Sequence, residues 1–552
     1  MSIINETFPN GLELIYQQIK GAIGISSISL FTKVGSVNES KKLEGLSHLI
    51  EHMMFKGTTN IKDTKGISKI FDGIGAYFNA YTDKNLTCYT VKTVSKNLAI
   101  VIKTLADMVC NSKFEKDEFE KEKLVVIEEL SRAEDDSAHH ISNQIFKLVF
   151  KGDKLANPVG AYQDTVKNYN YEDAYEYMKI FYKPSNMVIS ICSDLDISVI
   201  RDIINESYIS LNRYAPFINN KFKYIPQIEN QNEIRIGSID RDLEQTHLAL
   251  AFPTIDIYDP DTYILDLIRI ILAGNMSSRL FINLREKRGL TYNVHIDNSS
   301  YENYGLFSIH TSVDKDKLLD FVDEKNTTKE GAITVIINTL NDLIKNGIDS
   351  EELVKAKGYL EGNLNLGFED TLSISDYNGK LIVLEKPHLI PISLLYKIRY
   401  SHITIDQINN VIKKYLIKSK LNLFIIGKDV SGITSKLKEH LDRFYDSNSS
   451  QVNFNDEFVQ KSNSDKQSAT KETFTSEILD NKQPTNMNPT NMQSTNMKPI
   501  NMQATNMQAN NMQANNMQST NMKPINMQAN NMQANNMQAN NMQSTNMKPI
   551  NM

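Results

Sequence analysis

The sequence predicts an α+β protein of two homologous halves, each a sheet with helices packed on one side, followed by a disordered low-complexity tail. Three observations carry this prediction. Strand-like runs occur in pairs separated by longer helical patterns, which is typical of α+β units. The same order of elements occurs twice within about residues 5–445, and the composition changes abruptly after that. A chain of 552 residues is long enough for about three or four folding units.

The first half begins and ends with strand-like runs and holds its helices between them. Apolar residues at helical spacing predict helices at Leu46–Phe55 and Lys65–Phe71, and further helices extend to about Tyr182. The predicted strands are Leu12–Tyr16, Ile23–Lys33, Ala76–Tyr81, Leu86–Val91 and Met187–Cys192.

The second half repeats this order. Its first two predicted helices are Thr262–Leu272 and Ser278–Lys287, and long helical stretches follow the fourth strand. The predicted strands are Glu233–Ile239, His247–Phe252, Leu290–Ile296, Tyr304–Thr311 and Asn422–Ile426.

A polar run near residues 219–221 separates the halves, and a second polar stretch precedes the tail. The predicted segments are an N-terminal domain at 1–218, a linker at 219–232, a C-terminal domain at 233–445, a polar linker at 446–483 and a repeat tail at 484–552.

The tail repeats the dipeptide Asn-Met every five residues, from Asn486-Met487 to Asn551-Met552. A five-residue step turns successive Met side chains by about 140° on a helix and alternates them between the faces of a strand, so neither form has a continuous apolar stripe. We expect disorder, because the segment cannot bury enough apolar surface to offset its ordering entropy. Two other hypotheses are Cu(I) binding by the Met thioethers and a β-helix of five-residue period.

Charge and cysteine content exclude several classes of protein. A net charge of −6 provides no general basic field, so no nucleic-acid partner is predicted. Three cysteines are too few for a disulfide framework, which favours a reducing compartment. The N-terminus matches neither a secretory signal nor a transit peptide, and no run reaches the ~18 apolar residues of a membrane span. We therefore predict a soluble cytoplasmic protein without a membrane span.

The most informative motif is His48-Leu49-Ile50-Glu51-His52. Residues four apart lie on one face of a helix, so the imidazoles of His48 and His52 can bind one metal ion, and Glu51 leans toward the same face. This order, H-x-x-E-H, is that of the inverted zincins. Two His leave the site incomplete, because catalytic zinc has three protein ligands and one open position.

An acidic helix at Phe119–Glu129 is the obvious source of the third ligand. Glu122 and Glu129 are seven residues apart, or two helical turns, and can point the same way. Glu128 lies about 100° around the helix from Glu129 and would point elsewhere.

These residues and their spacing resemble the pitrilysin-type inverzincin metallopeptidases, in particular the smaller class that contains the mitochondrial processing peptidase β subunit and its bacterial relatives. Proteins of that class carry H-x-x-E-H and, about 76 residues later, a Glu; here 76 residues separate His52 from Glu129. The resemblance covers about residues 5–445, and the repeat tail has no counterpart in it.

The resemblance implies a role for each residue of the motif. His48, His52 and Glu129 would be the ligands of one Zn²⁺ per chain. Glu51 would be the catalytic general base, and Glu122 a second catalytic acid that orients the site. The fold would be one half of a metallopeptidase clamshell, with the zinc in the N-terminal domain.

Two further stretches match the family. The stretch from Asn79 to Thr82 corresponds to the family's edge strand, in which Asn79 and Ala80 would bind substrate through main-chain hydrogen bonds. The family's Arg and Tyr, seven apart, fall on Arg285 and Tyr292, which offer donors to a substrate carbonyl or a developing oxyanion.

The implied function is that of a zinc-dependent endopeptidase, similar to a processing peptidase, that cleaves extended or unfolded peptides by metal-activated water. Related enzymes build a closed chamber from four such units and this chain supplies two, which implies a homodimer or a heterodimer with a non-catalytic homologue. The second half lacks H-x-x-E-H and would be non-catalytic. The alternative function is a non-catalytic presequence-binding or assembly subunit of the same fold, which has no chemical need for the complete set of residues.

Simpler structural roles stay open for the other residues. Glu122 could be an exposed charge that pairs with Lys121. Asn79 could be an ordinary strand-end residue, and Arg285 and Tyr292 could pack at an internal interface.

Overall fold

The computed structural model describes residues 3–19, 24–208, 224, 227–384 and 389–445. Within them, one large sheet lies in each half of the chain, as predicted, and helices cover both sheets. The predicted linker at 446–483, the repeat tail at 484–552 and part of the linker at 219–232 lie outside the described residues. The domain boundaries at 218 and 233 therefore stay predictions.

The first sheet comprises six strands within the described residues. They are β1 (Ile3–Thr7), β2 (Glu13–Gln18), β3 (Ile25–Thr32), β4 (Tyr77–Thr82), β5 (Thr87–Val94) and β6 (Met187–Ser193). Their order is β1-β2-β6-β3-β5-β4, with β2 and β6 parallel and the other neighbours antiparallel. The sequence did not predict the edge strand β1, because Asn5 and Glu6 interrupt its apolar pattern.

The helices of the first half include both predicted ones, with ends within two residues of the prediction. They are α1 (Leu46–Met53), α2 (Thr64–Gly73), α3 (Leu98–Cys110), α4 (Lys116–Asp135), α5 (Ser137–Val149), α6 (Gln163–Lys167), α7 (Tyr171–Phe181) and α8 (Ile197–Tyr208).

The second sheet comprises five strands, and a two-residue pair lies apart from it. The strands of the second half are β7 (Arg235–Asp240), β8 (Gln245–Thr254), β9 (Val294–Ser300), β10 (Gly305–Asp314), β11 (Phe321–Val322), β12 (Thr328–Lys329) and β13 (Asn422–Gly427). The order in the sheet is β7-β13-β8-β10-β9, with β7 and β13 parallel.

Seven α-helices accompany this sheet in the described residues. They are α9 (Asp261–Ala273), α10 (Ala332–Asn346), α11 (Ser350–Gly367), α12 (Thr371–Val383), α13 (Ile392–Arg399), α14 (Ile405–Tyr415) and α15 (Thr434–Leu441).

Two predicted elements of the second half differ in the structure. The helix predicted at Ser278–Lys287 contains a π-helical turn, Phe281–Glu286. The strand predicted from Leu290 begins only at Val294, because side-chain hydrogen bonds hold the preceding loop: the Thr291 hydroxyl donates to Ser312 O at 2.8 Å.

The prediction of helices on one side of each sheet was wrong. α12, from the second half, packs on β3 and β6 of the first sheet, and α5, from the first half, packs on β8 and β13 of the second. Gly379 of α12 lies so close to the Phe31 ring that a Cβ atom there would come within 2.2 Å of it. Each half thus supplies a helix that covers one face of the other half's sheet.

Candidate metal centre

The predicted metal motif lies on α1, a short helix buried against the first sheet. The apolar side chains of α1 fix its orientation, because they are fully buried in the core of the first half. They are Leu46, Leu49, Ile50 and Met53. The opposite face of the helix, with His48 and His52, meets α4.

The carboxylate of Glu39, six residues before Gly45, caps the N-terminus of α1. The residue before the helix, Gly45, has a φ of 85° and no side chain to cap it. Glu39 accepts hydrogen bonds from the Gly45 and Ser47 N–H groups, the latter at 2.7 Å. Burial raises the pKa of Glu39 to about 8, against the opposing effect of these bonds. Sequence reasoning missed Glu39; the signal was a helix start without a capping side chain of its own.

The three predicted ligands converge on one point. His48 Nε2 lies 3.3 Å from His52 Nε2 and 3.9 Å from Glu129 Oε2, and His52 Nε2 lies 3.4 Å from the same carboxylate oxygen. Among the described residues, His48, His52 and Glu129 form a group of side chains whose ligand atoms lie close enough together to hold one metal ion. The structure therefore brings together α1 and α4, two helices that are 62 residues apart in the sequence.

The geometry of this group fits zinc. A tetrahedral zinc ion with bonds of about 2.0–2.1 Å holds its ligand atoms about 3.3–3.4 Å apart, and two of the three separations are 3.3 and 3.4 Å. Glu129 Oε2 is buried and receives no hydrogen bond from the described residues. A buried acceptor without a donor is costly unless a cation neutralises it. Two imidazoles and one carboxylate are the donor set of a catalytic zinc site.

Glu122 lies behind His52 instead of at the ligand cluster. His52 Nδ1 is 3.0 Å from Glu122 Oε1, and Lys56 Nζ is 2.5 Å from Glu122 Oε2. The bond from Nδ1 leaves Nε2 free to face a metal, as in carboxylate–histidine–zinc arrangements. Burial favours a raised pKa for Glu122, but the bonds from His52 and Lys56 outweigh it and lower the pKa. Lys121, the alternative partner of Glu122, pairs with Glu118 at 2.7 Å.

Burial changes the proton affinity of the other members. It lowers the pKa of His48 to about 3, with the neighbouring His52 acting in the same direction. It also raises the pKa of Glu129. Burial acts to lower the pKa of His52, but the hydrogen bond to Glu122 and the nearby carboxylates raise it overall.

Glu51 lies on α1 and is hydrogen-bonded to β4, the edge strand of the first sheet that follows α2. Its side chain is buried, and its Oε2 accepts a hydrogen bond of 2.6 Å from the Thr82 hydroxyl. Burial raises the pKa of Glu51 to about 7, against the opposing effects of His52 and of the Thr82 bond. Glu128, in contrast, is exposed and pairs with Arg132 at 3.5 Å.

Asn79 and Ala80 lie on β4, the terminal strand of the first sheet, which pairs with β5 alone within the described residues. Asn79 Oδ1 accepts a hydrogen bond of 2.9 Å from Ala80 N. The free side of β4 can therefore receive another extended chain.

Arg285 and Tyr292 lie in the second half and contact each other instead of the ligand cluster. The Arg285 guanidinium is 4.7 Å from the centre of the Tyr292 ring and 4.9 Å from that of Phe281. Tyr292 is 77% exposed, so the alternative of packing at an internal interface does not fit it.

Comparison with known proteins places these residues in a family. The model for Insulinase (Peptidase family M16) matches residues 20–161, which contain His48, His52 and Glu129. The model for the Peptidase M16 inactive domain matches residues 168–360. No helix among the described residues has the length and apolar character needed to cross a membrane.

Two curated relatives and one solved structure illustrate the similarity. The uncharacterized zinc protease YmxG of Bacillus subtilis is 30% identical over 382 residues, or 69% of this chain and 88% of the relative. An uncharacterized zinc protease of Rickettsia felis is 31% identical over 427 residues, or 77% of this chain and 97% of the relative. The crystal structure of a protease from Helicobacter pylori shares the fold, with a TM-score of 0.69 at 20% identity over 77% of this chain and 99% of that one.

These matches confirm the resemblance to the pitrilysin-type family, while the closer likeness to the mitochondrial processing peptidase β subunit stays a prediction. With its matched domains and its relatives named as zinc proteases, the chain belongs to peptidase family M16 and is a metallopeptidase.

Proposed function

We propose that the chain is a zinc-dependent endopeptidase that cleaves extended or unfolded peptides, with one zinc ion held by His48, His52 and Glu129. The observation that carries the proposal is the convergence of these three ligand atoms within 4.8 Å of one another. Glu51, buried beside them, is the general base, and Glu122 is the acid that orients His52.

Each side chain has a distinct task in this proposal. Zinc bound at the three ligands would activate water and polarise the scissile carbonyl. Glu51 takes the proton of the attacking water at its carboxylate and passes it to the departing amine. Glu122, paired with Lys56, accepts a hydrogen bond from His52 Nδ1–H and so keeps Nε2 directed at the ligand cluster.

The edge strand suggests the form of the substrate. An extended peptide that adds to β4 would be held by main-chain hydrogen bonds at Asn79 and Ala80, which select conformation more than sequence. Folded substrates present few free extended segments, so unfolded peptides suit this site best.

The second half would act as a non-catalytic domain, at about 233–445, beside a catalytic domain at about 1–218. The inactive-domain model matches residues 168–360, which include much of the second half, and this supports a non-catalytic role for that half. Arg285 and the exposed Tyr292 would act on the active site of a second subunit, in a homodimer or a heterodimer with a non-catalytic homologue. Sedimentation that shows a fully active monomer would exclude this arrangement.

The test of the proposed function is a peptide-cleavage assay on the full-length chain. We expect about one zinc per chain, cleavage of a quenched extended peptide, and loss of cleavage on treatment with a chelator. Glu51→Gln should retain zinc and lose cleavage. The alternative, a non-catalytic presequence-binding or assembly subunit, predicts peptide binding with no cleavage even in the zinc-loaded chain.

A further inference from the structure

Thr82, the last residue of β4, connects the free edge of the first sheet to Glu51. Its hydroxyl donates a hydrogen bond of 2.6 Å to Glu51 Oε2, and both side chains are buried, at 5% and 8% exposure. Such a bond to a carboxylate is short and charge-assisted, which makes it strong. Because both side chains are largely buried, bulk water competes little with this hydrogen bond.

The position of Thr82 on the strand explains how it reaches α1. Side chains two apart on a strand share a face, so Ala80 and Thr82 lie on one face of β4 and Tyr81 on the other. Ala80 packs against the core of the first half, which contains α1, whereas Tyr81 donates a hydrogen bond of 2.5 Å to Asp376 of α12. Both faces of β4 are therefore packed against other elements, and Thr82 on the inner face is hydrogen-bonded to Glu51.

We propose that Thr82 is a positioning residue that holds the Glu51 carboxylate in a fixed place relative to β4; this inference rests on the proposed function, in which Glu51 is the base and β4 receives the peptide. A peptide added along β4 would lie in register with the same strand that fixes Glu51. The distance from the base to the scissile bond is then set by one rigid element. Thr82 itself is buried and has no need to touch the peptide.

This role has a kinetic consequence that a purely structural threonine would not have. Removal of the hydroxyl frees the Glu51 side chain to turn while leaving the main chain of β4 intact. Peptide binding should be kept and the chemical step should slow, because an interaction needed in the transition state is lost. KM should change little and kcat should fall.

The first experiment compares three variants of the full-length, zinc-loaded chain. Thr82→Val keeps the shape and removes the hydroxyl, and Thr82→Ser keeps the hydroxyl. Thr93→Val is the matched control, because Thr93 is a buried strand residue of the same sheet whose hydroxyl has no partner among the described residues. We expect Thr82→Val to lower kcat about tenfold or more with KM within about twofold, since one such bond is worth at least a factor of ten.

We expect Thr82→Ser to restore most of kcat and Thr93→Val to change neither constant. Zinc content should be equal in all four proteins. An unchanged kcat in Thr82→Val, or an equal loss in Thr82→Ser, would overturn the proposal.

A second readout does not depend on cleavage. The unfolding midpoints of chelator-treated Thr82→Val, Glu51→Leu and the double variant form a double-mutant cycle. If Thr82 holds Glu51, the two midpoint shifts are non-additive; additive shifts would contradict the contact and with it the proposal. If the wild-type chain cleaves no peptide, the proposed function fails, while this cycle still decides whether Thr82 fixes Glu51.

Discussion

In the first half the strands run β2-β6-β3-β5-β4 across the sheet, and in the second half the corresponding strands run β7-β13-β8-β10-β9. Both sheets contain one parallel pair, β2 with β6 and β7 with β13, and both end on an edge strand that pairs antiparallel with its neighbour. The first sheet adds β1 at its other edge. The two halves share one scaffold, so their difference in chemistry must lie in side chains.

The helices α1 and α9 show where that difference lies, because each follows the corresponding strand, β3 or β8. α9 buries one carboxylate, Asp266, which accepts hydrogen bonds of 3.0 Å from both Asn298 and Tyr400. α1 instead faces Glu129, whose buried Oε2 receives no hydrogen bond from the described residues. The second half thus provides hydrogen-bond donors to its buried acid, Asp266, whereas the first half leaves Glu129 Oε2 available to a cation.

The exchange of α5 and α12 makes the halves depend on each other. Ser27 and Ser29 of β3 form buried hydrogen bonds with Thr371 and Ser375 of α12, at 2.7 and 3.0 Å. The edge strand β4 is included, because the Tyr81 hydroxyl donates a hydrogen bond to Asp376 of α12. The second half therefore contacts the strands beside the candidate metal centre, while the three candidate ligands among the described residues all lie in the first half.

The largest effect is expected when Glu129, the acid of the first half that no described residue satisfies, is replaced. We expect Glu129→Gln to lower zinc content and to reduce kcat/KM more than about a hundredfold, since loss of an outer partner alone costs about 10–100-fold. The neighbouring Glu128→Gln is the matched control, because Glu128 is exposed and pairs with Arg132. Zinc analysis and peptide cleavage measure both. Equal effects of the two substitutions would contradict the assignment of the ligand.

Much of this site is visible in the sequence because its signals are local. His48, Glu51 and His52 lie within one helical turn and a half, and Glu129 follows from its spacing and from the resemblance. Glu39, Lys56 and the contact of Thr82 with Glu51 were missed, because each depends on a contact that only the folded chain creates. The exchange of α5 and α12 was missed for a similar reason: an apolar helix face shows that a helix is buried, but not against which sheet.

Lys56 allows a finer test of the first half. We expect Lys56→Met to weaken zinc binding about tenfold, because Glu122 would lose the cation that keeps it charged and oriented toward His52. Zinc affinity can be measured by competition with a chromogenic chelator. Lys121→Met, which removes an exposed lysine paired with Glu118, should leave the affinity unchanged. A normal affinity in Lys56→Met would show that Glu122 needs no such partner.

The corresponding change in the second half should affect stability alone. We expect Asp266→Ala to lower the free energy of unfolding by about 1–3 kcal/mol, because Asn298 and Tyr400 would lose their buried acceptor. Zinc content and kcat at a temperature well below the transition should stay at wild-type values. Denaturant unfolding and zinc analysis measure the two properties, and a loss of zinc would show that the halves are not chemically separate.

The smallest expected effect concerns His310, a buried histidine of the second half that is not among the candidate metal ligands of the described residues. Burial, and then the neighbouring His295, lower the pKa of His310 to about 4. The unfolded chain binds this proton below about pH 6.5 and the folded chain only below about pH 4, so stability falls as the pH falls from 6.5 toward 4. His310→Gln should remove this part of the slope, a difference on the order of 1–2 kcal/mol between pH 7 and pH 5.

Denaturant unfolding at the two pH values measures the slope, with His402→Gln as the control, because His402 is an exposed histidine of the same half. The His310 contribution should be the same with and without zinc. The slope from His48 and His52 should instead change with zinc, because the metal competes with protons for their nitrogens. If the contribution of His310 to the pH dependence of stability changed with zinc, metal binding in the first half would be coupled to the second half. This outcome would contradict the comparison, in which the two halves hold their buried acids, Glu129 and Asp266, independently.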